Sequence, residues 1–143
     1  SHAVEVDGMK LLDGGIADSI PLQYFESIGY KKNVVILTQP SSYRKGPMKH
    51  THMMKLLLKK YPAIYQKLKK RHLAYNKQLS YIKKRGEYGD AFIIQPPFSL
   101  NIPALCHSAQ EKERVYRIGR QQALKQLASL KHFINEARNE EDH

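Results

Sequence analysis

A chain of 143 residues is long enough for one domain with a packed core and too short for two ordinary ones. Its apolar content of 41% fits a globular protein rather than a disordered one, and its net charge of +11 favours anionic partners without naming them. No apolar run reaches the roughly 18 residues of a membrane span, and no basic-then-apolar leader opens the chain, so a soluble, cytoplasmic protein is expected.

The chain begins Ser1-His2-Ala3, and these first residues carry no functional argument. Val4 to Leu12 can form one or two short strands, with Asp7-Gly8 as the hairpin turn between them. Gly14 and Gly15 then make an open bend. Ser19 is a helix-cap candidate and Pro21 suits the first turn, because its missing amide donor would be unpaired there anyway. That short helix should run to about Ile28 and end at Gly29.

Asn33 to Thr38, NVVILT, is a strand with four consecutive apolar residues, a pattern that predicts burial on both faces. The loop Gln39-Pro40-Ser41-Ser42-Tyr43 leaves its C-terminal end, where α/β sheets often assemble ligand chemistry. MMKLLLKKY suits a short helix, and Pro62 fits the start of a longer one extending to about Arg85. On that helix Tyr61, Ile64, Leu68, Tyr75, Leu79 and Ile82 supply a packed face, while the lysines and Arg71 are expected to point outward or snorkel. A second strand spans Ala91 to Gln95, and a C-terminal helix runs from about Ala109 to Asn139, in which Gly119 marks either a break or close packing. Two buried-type strands are too few to cover both faces and both edges of a sheet. Either more sheet comes from another polypeptide segment, a second copy of the chain included, or the isolated chain is marginal.

The basic charge is uneven: from Arg44 to Arg85 there are fourteen Lys or Arg residues and no Asp or Glu. Anionic membrane surfaces, nucleic acid and an acidic protein face would all satisfy that field. The tyrosines among these charges sit at helical spacing, which favours packing over base stacking, and no zinc finger, KH loop or RRM signature accompanies them. Nucleic acid is therefore the weaker partner. Tyr43, Arg44 and Lys45 border the strand end and are candidates for contact with a phosphate, a lipid headgroup or an anionic surface, against the reading as a plain exposed turn. His50 and His52 have no Asp, Glu or Cys nearby to complete a metal set, so no metal or other cofactor is expected. His72 reads as a surface residue, His107 has no triad spacing, and the single cysteine, Cys106, reads as a small loop residue.

Asp13 has two readings. It can be a turn carboxylate accepting backbone hydrogen bonds, or an acid presented from the end of the Met9–Leu12 strand to orient and deprotonate a serine. The stretch DGGIADSIP from Asp13 to Pro21, followed by NVVILTQPSSYRKGP from Asn33 to Pro47, resembles the C-terminal part of bacterial patatin-like phospholipases; FIIQPP and the segment with Glu111, Tyr116 and Gly119 resemble the same family. The resemblance covers nearly the whole chain. It implies an α/β fold that is the C-terminal portion of a three-layer sheet, incomplete without further strands. Residues 1–50 would then complete the catalytic domain, and 51–143 would be a basic helical region with one further strand and the C-terminal helix.

The resemblance further implies a lipid acyl hydrolase with a Ser-Asp dyad, no cofactor and a lipid or other ester as substrate. Asp13 would be the dyad acid, supported by Gly14 and Gly15. Asp18, by contrast, reads as a cap or loop hydrogen-bonding residue. The family's G-x-S-x-G elbow and oxyanion loop have no match here, so the isolated chain is expected to be inactive without an upstream segment. The alternative is a noncatalytic basic helical module that binds anionic lipid surfaces or nucleic acid.

Overall fold

The computed structural model describes residues 4–11, 13–103 and 106–141. Two short strands open it, β1 (Val4–Val6) and β2 (Met9–Leu11), paired antiparallel with Val4 opposite Leu11. Asp7 and Gly8 both take positive φ, 50° and 74°, as a two-residue turn between right-twisted strands requires. Leu12, included in the expected strand, lies outside the described residues. Gly14–Ile16 is a single 3-10 turn, and α1 follows over Leu22–Ser27.

Pro21, not Ser19, occupies the cap position of α1, and the Ser19 hydroxyl donates to Gly15 O at 2.7 Å. Gly29, with φ of 106°, turns the chain away from that helix into β3 (Asn33–Ile36). α2 (Thr51–Leu57) and α3 (Pro62–Glu87) connect β3 to β4 (Ala91–Ile94), which pairs with it in parallel, Asn33 opposite Ala91 and Ile36 opposite Ile94. The result is a mixed α/β fold: a small, open two-stranded parallel sheet followed by helices.

Leu22, Val35, Ile82 and Ala91 form the buried cluster, with Ile20, Leu37, Tyr81 and Ile93 packed against it. Val35 and its register partner Ile93 look toward α3, where Gly86 lets the helix approach so closely that a Cβ there would lie 2.8 Å from Ile93 Cδ1. Side chains alternate along a strand. Val34 and Ile36 therefore fall on the other face, and they are 43% and 73% exposed. Burial of this strand on both faces is thus not what the described residues show. On β4 the same face is partly covered: Phe92 meets Phe133 with ring centroids 5.7 Å apart.

A polar cluster ties three elements together behind the core. Glu26 accepts hydrogen bonds from Tyr81 Oη at 2.5 Å and Arg85 Nε at 2.7 Å, and Arg85 reaches Asp90 at 3.0 Å. At the C-terminal end, Ser108 caps α4 (Ala109–Lys125) by accepting from the Glu111 amide, and Arg114 donates to Leu100 O at 2.7 Å, anchoring the preceding loop. The helix breaks at Gln126, not at Gly119, which lies within α4. After the break, α5 (Leu127–Glu141) carries the Phe133 that packs on the sheet. No described helix is long and apolar enough to cross a membrane.

Candidate functional site

Asp13 stands at the start of the 3-10 turn with its side chain exposed. Its Oδ1 accepts from the Gly15 amide at 2.8 Å and its carbonyl from the Ile16 amide at 3.0 Å, an arrangement that short acidic side chains favour. The second carboxylate oxygen has no hydrogen-bond partner among the described residues. Gly14 and Gly15 shape the turn, and a methyl at position 15 would lie 3.2 Å from Asp13 Oδ1 and 3.6 Å from Arg71 Nη2. Ser19 does not bond to Asp13; it folds back on Gly15.

The turn is seated on α3. Gln78 Nε2 donates to Asp18 Oδ1, so Asp18 ties the loop to that helix instead of capping α1. One side chain on α3 departs from expectation. Arg71 is only half exposed and points to the turn, with Nη2 3.5 Å from Ser19 Oγ and Nε buried without a hydrogen-bond partner. A signal for this existed in the sequence. Leu68, Arg71, Tyr75, Leu79 and Ile82 follow one another at spacings of three and four, so Arg71 fills the gap in the packed stripe.

Tyr43 and Lys45 come to the same place, and Arg44 does not. The Tyr43 ring meets Tyr75 edge-on with centroids 6.1 Å apart, and Lys45 Nζ lies 5.3 Å from the Tyr75 ring centroid. Asn76, which the sequence reading passed over, clamps the Lys45 backbone: its Oδ1 accepts from Lys45 N at 2.8 Å, and its Nδ2 donates to Lys45 O at 3.0 Å. Burial, and then repulsion from Arg71, hold the Lys45 ammonium below its ordinary proton affinity. Burial, and then the neighbouring Tyr43, push the Tyr75 hydroxyl up. Arg44 turns back on its own loop, donating to Ser41 O at 3.1 Å and Tyr43 O at 2.7 Å.

An open apolar groove of about 1190 Å³ begins at Tyr43 and runs along the C-terminal ends of β3 and β4 to α4 and α5. Ile36, Leu100, Val115, Leu127 and Leu130 are among its walls, and Cys106 lines it as a half-buried loop residue. Lys112 and Arg120 lie on it, and no acidic side chain does. His50 and His52 sit at the start of α2, His72 Nδ1 lies 3.1 Å from Lys69 O on the same helix, and His107 is exposed. Among the described residues no three His, Cys, Asp or Glu side chains gather as a metal site would require.

No curated protein and no solved structure matches this chain. A family model does match, over residues 61–135, which spans the seat of the Asp13 turn on α3, strand β4, α4 and most of α5. With over half of its length covered, the chain belongs to the family described as a domain of unknown function (DUF6363).

Proposed function

We propose that this chain is the C-terminal portion of a patatin-like lipid acyl hydrolase, in which it supplies the dyad acid. The observation that carries the reading is Asp13: an exposed carboxylate, one oxygen fixed by the Gly15 amide and the other open, held at a glycine turn beside a sheet with open edges. Helical contacts on both faces of β4, from Gly86 on one side and Phe133 on the other, suit a three-layer arrangement that upstream strands would extend. In the parent enzyme a serine from an upstream elbow would attack the ester carbonyl. Asp13 would orient that hydroxyl and accept its proton, and amides of an upstream loop would stabilise the oxyanion. Water would then release the acyl group.

The test uses the native reading frame with its upstream segment, assayed on short-chain esters and phospholipid vesicles. Asp13→Asn should lower kcat by about 10³-fold or more with little change in folding, because it keeps the shape and removes the base. The 143-residue chain alone should show no turnover. Activity within about tenfold of the native protein in Asp13→Asn would remove the reading. The rival reading, a noncatalytic basic module, draws on the exposed lysines of α3, among them Lys67, Lys69, Lys70 and Lys77. It predicts salt-sensitive binding to anionic vesicles, unchanged by Asp13→Ala and without ester turnover from the complete protein.

A further inference from the structure

Two cations come to Tyr75 on the helix that seats the Asp13 turn. Arg71 comes from α3, one helical turn before Tyr75, and Lys45 comes from the loop after β3, with its Nζ 5.3 Å from the Tyr75 ring centroid. Neither forms an ion pair among the described residues. Of the two acids on the facing turn, Asp18 accepts from Gln78 and Asp13 holds the Gly15 amide with one oxygen, and neither pairs with Arg71 or Lys45 among the described residues. Arg71 has a buried Nε–H with no acceptor, and its Nη2 makes only a long contact to Ser19. A buried donor of this kind is rarely left unmatched in a folded protein.

The frame around the pair is fixed before any ligand arrives. Asn76 holds the Lys45 backbone from both sides, Tyr43 and Tyr75 form an aromatic wall, and the Arg71 backbone lies one helical turn before Tyr75. Gathering two like charges in a half-buried place is unfavourable unless a counter-charge joins them. A guanidinium fork beside a lysine point charge matches a tetrahedral oxyanion carrying more than one negative charge.

We infer that Lys45 and Arg71, framed by Tyr43, Tyr75 and Asn76, form a binding site for a phosphate group beside the Asp13 turn. The phosphate can belong to a lipid headgroup or be free in solution. Tyr43 also opens the apolar groove, so a phosphate borne on an amphiphile would find acyl-compatible surface next to it. The site stands apart from the ester-hydrolysis reading, since it binds phosphate whether or not Asp13 takes part in catalysis.

The experiment titrates the ¹⁵N-labelled chain with inorganic phosphate, at ionic strength held constant with chloride, following the Arg71 Nε–H and the Lys45 amide. In parallel, binding is measured to vesicles of phosphatidylcholine alone and to vesicles in which about one lipid in five is phosphatidic acid. A saturable shift with phosphate and not chloride is expected, or phosphatidic acid-dependent vesicle binding. Each should weaken about tenfold or more in Arg71→Gln and Lys45→Gln and little in Lys70→Gln, whose side chain is exposed.

Lys45→Gln keeps the Asn76 clamp, which involves only backbone atoms of Lys45, and so removes the charge without disturbing the fold. If inorganic phosphate saturates the site and displaces the vesicles, the site accepts phosphate from either source; Lys45-dependent binding to the vesicles alone assigns it to the headgroup. Absence of a saturable response to both probes, or equal weakening in Lys45→Gln and Lys70→Gln, would overturn the inference. Neither result would alter the Asp13→Asn test.

Discussion

Ile82 is the residue on which the seating of the Asp13 turn depends most directly. It is 1% exposed, and the cluster it belongs to also contains Leu22 of α1, Val35 of β3 and Ala91 of β4, so one side chain joins α3 to the sheet and to the first helix. Ile82→Ala removes three carbons from that junction, worth about 2.4 kcal/mol at roughly 0.8 kcal/mol per buried methylene. The cavity left behind adds to this, giving about 3–4 kcal/mol in total, within the range found for such truncations. A domain of ordinary stability holds about 5–15 kcal/mol, and few side chains of this chain are fully buried.

Urea denaturation followed by circular dichroism should therefore show the midpoint of Ile82→Ala falling steeply. Ile82→Val should lose about 1 kcal/mol and Leu73→Ala, at a position 60% exposed on the same helix, should lose little. If Ile82→Ala costs no more than Leu73→Ala, α3 is not held to the sheet in the way described, and the placement of Arg71 against the Gly15 turn falls with it.

Hydrogen bonding to Glu26, followed by burial, raises the Tyr81 hydroxyl above its ordinary value of 10.0. A raised folded-state value means that this contribution to stability is complete below about pH 10 and is lost as pH rises through the folded-state value. Absorbance titration of the phenols should show a late component that disappears in Tyr81→Phe; a late component of unchanged size in that variant would contradict the assignment. At the open edge of the sheet, Ile36 is 73% exposed, and such a strand invites pairing with another. Sedimentation of the isolated chain should show concentration-dependent association that Ile36→Lys reduces, and identical profiles for the two proteins would refute a role for this edge.

The elements legible in the sequence are those set by local rules. Asp7-Gly8 specifies a hairpin because both positions take positive φ, Pro62 begins α3, and Gly29 follows α1 in a left-handed conformation. What could not be read depended on partners distant in the chain. Ser19 has the composition of a helix cap, but Gly15 O takes its hydrogen bond. Gly119 has the lowest helix propensity in its segment, yet α4 passes through it and breaks at Gln126, where α5 turns to place Phe133 on Phe92. The four apolar residues Val34 to Leu37 predict burial on both faces, but within β3 only Val35 is buried, because hydropathy records what a strand needs and not whether this stretch of chain supplies it. Of the site, Asp13 and Lys45 were legible as chemistry, whereas Arg71 was hidden by its charge: its spacing placed it in the apolar stripe and its residue type argued for solvent.

The matched family segment and the acid-bearing turn are mechanically one unit. Strand β3 lies before residue 61 and pairs along its length with β4, which lies within the matched segment. The Asp13 turn likewise rests on Arg71 and Gln78, both on the matched helix α3. Asp13 makes no long-range polar bond of its own among the described residues; its place is fixed through Gly15, Asp18 and Ser19. Substitutions in the matched segment should therefore reach the turn through α3 without touching the acid. The charge pattern follows the same division of labour. With no Asp or Glu from Arg44 to Arg85, the cations of this stretch have no neutralising partner within it. Most of its lysines meet solvent, Arg85 is matched by Glu26 and Asp90 from outside the stretch, and Lys45 beside Tyr75 and Arg71 one turn before it form no ion pair among the described residues. A general basic surface needs only the exposed lysines. Two half-buried cations, one clamped by Asn76 and the other with an unmatched Nε–H, need a ligand of their own.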